Sequence, residues 1–211
     1  MSNELIIKDL QVKDLLVAVD IETTGLDPYL HDIWEIAIIP FTKVEDTTFY
    51  SDHIIGNYKI LPCTFKARMR PQNPMSMQQK ALEVGGTTKE QLMAIPTNLY
   101  QVLNSFYEWK METYPEYRFV PVGHNYSSFD KQFLIAKMNS FNYDQNFSHH
   151  SLDTKIICKW LQQLGFNLGK KLSLQGLKAH FNLTEGNAHT SYGDCLTSIA
   201  LLNSLNKLIK Q

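Results

Sequence analysis

No apolar run in the 211-residue sequence approaches the ~20 residues that cross a bilayer, so no membrane partner is expected. No stretch rich in Gly, Ser or Pro reads as a linker, and there is no internal repeat or low-complexity tract. One domain over residues 1–211 is therefore expected. Cysteine is scarce: Cys63, Cys158 and Cys195 are odd in number and far apart, which excludes a fully paired disulfide framework and fits a reducing compartment. The opening MSNELIIKDLQVKD has charges on both sides of a very short apolar patch, unlike a signal peptide, and a cytoplasmic location is expected. Neither charge sign dominates. With 20 Lys+Arg against 21 Asp+Glu the formal net charge is −1, so the overall balance gives no sign of nucleic-acid binding. Any function has to be read from local pattern.

Locally, Lys59, Lys66, Arg68 and Arg70 fall in one stretch without an intervening acid. Such a patch could meet phosphates or simply be a solvated loop. Residues 15–19 are continuously apolar, as in a central strand covered on both faces. Residues 33–41 and 47–54 read as a second and third strand with KVED between them, and residues 117–123 as a later strand. Helices are predicted over about 75–84, 89–94, 99–112, 128–139, 154–164, 172–181 and 189–208. A strand meander followed by strands alternating with helices predicts an α/β fold: a mixed central sheet of about five strands, the first three a meander, with helices on both faces. Such sheets gather chemistry at the ends of central strands.

The first strand runs straight into two acids, LLVAVDIETTGLDP. Two apart on a strand, Asp20 and Glu22 point the same way. They could look into solvent as ordinary strand-end residues. Held together, the two carboxylates would repel unless a cation lay between them, and all-carboxylate ligation selects hard ions such as Mg²⁺ or Mn²⁺ over zinc. D-x-E alone is a weak motif. Two more segments strengthen it: VGHNYSSFDKQFL delivers Asp130 at a helix start, and NAHTSYGDCLTSIALL places His189 five residues before Asp194.

The ordered set D-x-E-T-T-G, H-N-x-x-x-F-D and H-x-x-x-x-D resembles the DEDDh class of 3′→5′ exonucleases, over about residues 17–202. That superfamily has the ribonuclease H-like fold and includes proofreading exonucleases, ribonuclease T and oligoribonuclease. RPQNPMSMQQKALEVGGTTKEQL and SLDTKIICKWL also resemble the connecting segments of those enzymes. The resemblance puts the motif-bearing core at about residues 15–208. It implies that Asp20, Glu22, Asp130 and Asp194 are catalytic metal ligands and His189 the general base. Two Mg²⁺ or Mn²⁺ ions per site are implied, roughly 3.5–4 Å apart, suited to in-line phosphodiester hydrolysis. Thr190 stands where a tyrosine subclass has its Tyr, which favours the histidine subclass, and Ser191 replaces a common Ala.

The same resemblance places Thr23 and Leu26 at the terminal nucleotide, and Asn125 in substrate contact or as a helix cap. Phe129 is a base-stacking residue or core. Asp153 reads as an N-cap rather than a ligand, and Cys195 as a small buried residue. The implied activity is release of nucleoside 5′-monophosphates from single-stranded 3′ ends. DNA is favoured because D-I-E-T-T-G is more similar to the proofreading branch. The alternatives are an RNA 3′-end exonuclease like oligoribonuclease and, in another class, a non-catalytic 3′-end binding module. The chain stops shortly after its last predicted helix, so an independent enzyme is expected over a fixed polymerase subunit. Partners left open are a homodimer and a loose association with a polymerase or another replication or repair protein.

Overall fold

The computed structural model describes residues 13–138 and 143–210. Seven strands form one mixed sheet among them: β1 (Lys13–Thr23), β2 (Ile33–Lys43), β3 (Ile54–Ile55), β4 (Tyr58–Ile60), β5 (Phe65–Arg68), β6 (Tyr117–Gly123) and β7 (Leu152–Asp153). The order is β3-β4-β2-β1-β6-β7, with β5 also paired to β2. The connections from β1 to β5 are antiparallel, whereas β6 lies parallel to β1 and β7 parallel to β6. Helices are α1 (Gln79–Val84), α2 (Lys89–Met93), α3 (Leu99–Thr113), α4 (Asp130–Met138), α5 (Tyr143–Asn146), α6 (Thr154–Gln163), α7 (Leu174–His180) and α8 (Ser191–Ile209). None of the described helices is long and apolar enough to cross a membrane.

Alternation along β1 sets the two faces. Leu15, Val17, Val19 and Ile21 join α3 and α4 in one core through Leu103, Phe106 and Phe133, while Ala18 joins Ala37 and Ile39 of β2 against Cys195 and Ile199 of α8. Continuing that period, Asp20 and Glu22 fall on the α8 face. The small side chains of Ala18 and Ala37, both fully buried, let α8 lie close to the sheet. On its outer side α8 packs on α6 and α7 through Leu201, Leu205, Cys158 and Leu177.

The third strand differs from the sequence expectation. Residues 47–53 form no strand. Asp46 accepts from the Thr42 hydroxyl and the Thr48 N–H, and the Lys59 ammonium donates to the carbonyls of Asp46 and Phe49. Side chains thus satisfy backbone that a ladder would otherwise pair. The meander continues instead through a tight hairpin, Ile55 opposite Tyr58, with Gly56 at positive φ, and then through β5. Helix α1 starts four residues later than predicted and α8 two residues later, at the caps Gln78 and Thr190, and α5 was not foreseen. The start of α8 is held by the Thr190 hydroxyl, which accepts from Gly193 N–H.

Candidate active site

β1 pairs with β2 as far as Thr23 but with β6 only as far as Ala18. Beyond Ala18 its β6-side edge is open, and Asp130 fills the gap by accepting the Ile21 N–H at 3.1 Å. Asp194, at the first turn of α8, descends onto the same spot from the face above. Carboxylate oxygens of Asp20, Glu22 and Asp194 lie within 4.8 Å of one another. Asp130 is not in that triad, yet its charge is the largest neighbouring influence on Asp20. The acids of the three motifs therefore converge, from four different positions in the chain.

Their electrostatics follow from this crowding. Burial, then the charges of Asp130, Asp194, Glu22 and Glu35, pushes Asp20 well above the usual carboxylate range. Burial together with Asp194 and Glu35 raises Glu22 to about 7, against a weaker opposing effect of Arg68. Asp130 rises to about 8, chiefly through burial, although the N–H groups of Asp130 itself and Ile21 oppose the rise. Burial also raises Asp194, against the charges of His189 and Lys178 and hydrogen bonds from the His189 N–H and Gln175. Four acids that resist joint ionisation are a fitting donor set for hard divalent cations, which would relieve their repulsion.

His189 is exposed and has φ 61°, a left-handed conformation just ahead of α8. Its loop is pressed onto the helix at two glycines: a Cβ on Gly186 would lie 1.9 Å from the Gly193 carbonyl, and one on Gly193 would lie 2.0 Å from that of Asn187. Asn125 is likewise left-handed, at φ 72°. Asp153 accepts from Asn125, Ser127, Lys155 and Ile156, so it caps α6 and braces the Asn125 turn, consistent with a cap.

Thr23, Leu26 and Phe129 line one cleft of about 280 Å³ with Glu22, Gln78, Lys80 and Val84. Leu26 stands 73% exposed in it, whereas the Thr23 hydroxyl is engaged with the Gly25 carbonyl. Phe129 is shared between the cleft and the core, its ring 5.1 Å from Phe133. Asn125 does not line this cleft. An ion pair between half-buried Lys137 and buried Asp32 at 3.1 Å, the Asp32 N–H donating to Thr24 Oγ1 and the Asn73 N–H donating to the Asp32 carboxylate fix the wall of the turn.

The motifs missed Glu35, which stands opposite Glu22 on β2 and is 1% exposed. One of its oxygens accepts from Ser191 N–H and Oγ, and the other from Arg68 Nε at 2.5 Å. Burial would raise its pKa, but these bonds outweigh burial and hold it below the usual range. Two facing glutamates thus sit in opposite protonation regimes, and Glu35 anchors the start of α8 between His189 and Asp194. The available signal was a lone acid inside an otherwise apolar strand. Lys59 turns inward and Arg68 is claimed by Glu35, so the basic stretch of residues 59–70 does not act as one patch.

The exonuclease family model, RNase_T, matches residues 17–202. The chain belongs to this exonuclease family. The match spans all three motifs, in agreement with the resemblance read from them. Among solved structures, the exonuclease is similar to the zinc-bound E. coli exonuclease I–ssDNA complex, at TM-score 0.70 and 18% identity over 94% of this chain and 42% of that one. It is also similar to cell-death related nuclease 4, at 0.67 and 17% over 95% and 66%, and to exonuclease I of Methylocaldum szegediense, at 0.68 and 15% over 92% and 40%. The chain thus spans about two thirds of cell-death related nuclease 4 and about two fifths of the exonucleases I. No curated protein matches it.

Proposed function

We propose that this exonuclease removes nucleoside 5′-monophosphates from the 3′ end of single-stranded nucleic acid, DNA in the first instance. The convergence of Asp20, Glu22 and Asp194 within 4.8 Å, with Asp130 beside Asp20, carries this reading. These four acids would hold two Mg²⁺ or Mn²⁺ ions. Divalent ions there would supply charge neutralisation for the phosphate and a water acidic enough to yield a nucleophile near neutral pH.

The chain's own residues do the rest. The cleft bounded by Leu26, Phe129 and Val84 takes the terminal base through apolar contact, which every base can make, and the selection is therefore sequence-tolerant. Glu22 borders both this cleft and the acidic cluster, so a nucleotide seated there brings its 5′-phosphate to the acids. His189, exposed beside Asp194, takes the proton of the attacking water. Glu35 and Ser191 hold the backbone between those two residues, so base and acid keep their spacing. DNA is supported by the first motif and by the solved E. coli exonuclease I, whose complexes contain single-stranded DNA.

The test is time-resolved digestion of 5′-labelled single-stranded DNA and RNA in Mg²⁺, Mn²⁺ or chelator. A metal-dependent ladder shortening from the 3′ end is expected, faster on DNA. Faster RNA shortening would reassign the substrate, and strands left intact in both metals would overturn the enzymatic reading in favour of 3′-end binding.

A further inference from the structure

No aspartate or glutamate occurs between Asp153 and Glu185, while Lys155, Lys159, Lys170, Lys171 and Lys178 do. In a chain of net charge −1 this is a basic band. Lys178 is engaged with the carbonyls of Glu185 and Gly186. The other four ammonium groups enter no ion pair among the described residues.

The band begins at the site. His124 follows β6 directly, and its ring contacts Thr154 Oγ1 at 3.0 Å and the Leu172 carbonyl at 2.9 Å. That clamp joins the first turn of α6 to the loop carrying Lys170 and Lys171, and the Lys155 charge is felt at the His124 ring. Gln175, just beyond the loop, donates to Asp194 at 3.3 Å. Lys159 lies one turn along α6 from Lys155, and next to it Trp160 is 56% exposed.

Reaction geometry selects this side. In-line displacement places the attacking water and the departing 3′-oxygen on opposite sides of phosphorus. Asn187 and Thr190, flanking His189, line the cleft of Lys66 and Arg68 on the β5 side. The water belongs there, so the strand departs past Asp130 toward Asn125 and His124. The β5 cleft is also poorer in free charge, since Arg68 is neutralised by Glu35 and Lys66 lies over the Tyr192 ring.

We infer that Lys170, Lys171, Lys155 and Lys159, with Trp160 as a stacking surface, form the track for the phosphodiester strand 5′ of the scissile bond. This rests on the proposed exonuclease reading and adds a second, sequence-independent binding region. Each lysine on a single-strand phosphate contributes a salt slope of about 0.7, or about fivefold in affinity at 0.1 M salt relative to 1 M.

The experiment uses the full chain and two readouts. Anisotropy of a 5′-labelled oligothymidylate of about 12 nucleotides, in chelator, measures the strand; metal-dependent hydrolysis of thymidine 5′-monophosphate p-nitrophenyl ester measures the catalytic centre without one. Lys170→Gln with Lys171→Gln should weaken oligonucleotide binding about 25-fold at 0.1 M salt and lower the slope by about 1.4. Trp160→Ala should weaken it about tenfold with little change in slope. Ester hydrolysis should keep its kcat and KM in both variants. Unchanged binding and slope would overturn the track. So would loss of a dimer or protein complex by Trp160→Ala at unchanged strand affinity, which would make the Ile156–Trp160 face a protein interface. Absence of ester hydrolysis in the unsubstituted chain would instead count against the catalytic reading, while the binding comparison would still judge the track.

Discussion

Removing one negative charge from the centre should stabilise the metal-free protein while destroying its activity. Glu22 is the residue for which this can be worked through. Its carboxyl rises from a usual 4.5 to about 7 through burial and the charges of Asp194 and Glu35. A carboxyl raised in the folded state disfavours folding as pH climbs past the unfolded value, and the penalty is complete above the folded one. For Glu22 that penalty is about 3 kcal/mol at pH 8 and under about 1 kcal/mol at pH 5. It is an upper figure, because a proton on Asp20 or Asp130 relieves part of the same repulsion. At about 2–4 °C per kcal/mol for a chain of this size, Glu22→Gln should raise the melting temperature in chelator at pH 8 by up to about 6–12 °C, and by far less at pH 5. Mg²⁺ or Mn²⁺ should stabilise the unsubstituted protein with the same pH dependence, and hydrolysis by Glu22→Gln should be lost. Calorimetric melts at pH 5 and pH 8, with chelator and with metal, decide the matter. Equal or lower melting of Glu22→Gln at pH 8, or metal stabilisation as large at pH 5 as at pH 8, would refute the crowded-acid account.

His189→Ala should retain metal and strand binding but turn over about 10²–10⁴-fold more slowly, measured in single-turnover digests; normal turnover would remove it from the mechanism. Glu35 is depressed, so its stabilising contribution is complete above its unfolded value near 4.5 and fades as pH falls through the lower folded value. Glu35→Gln should therefore lose stability at pH 7, flatten the acid limb of a urea-midpoint profile below about pH 4.5, and lower kcat; an unchanged limb would deny the Arg68–Ser191 network that role. Asp32→Ala removes the partner of half-buried Lys137 and of the Asn73 N–H and should cost about 1–3 kcal/mol in urea denaturation, with Asp32→Ala/Lys137→Met recovering part of it.

Sequence alone determined a good deal of this molecule. The spacing of Asp20 and Glu22 put both on one face of β1, because side chains on a strand must alternate; that this is the face under α8 was decided by the packing. Cap chemistry at Asp153 marked the start of α6, and three ordered motifs pointed to the acids that the fold gathers. Residues 47–53 show where local pattern failed, for Lys59, a residue of the next hairpin, satisfies the carbonyls that a strand would have paired. Nothing local could decide that Glu22 and Glu35 face each other in opposite charge regimes, since that depends on strand register and on Arg68 and Ser191 arriving from two other elements. Nor could composition reveal that Lys59 and Arg68 would be taken by internal partners while Lys155, Lys159, Lys170 and Lys171 would enter no ion pair among the described residues. Charge and periodicity are properties of the chain; which charges are neutralised, and which face one another across a site, is decided only when distant segments meet.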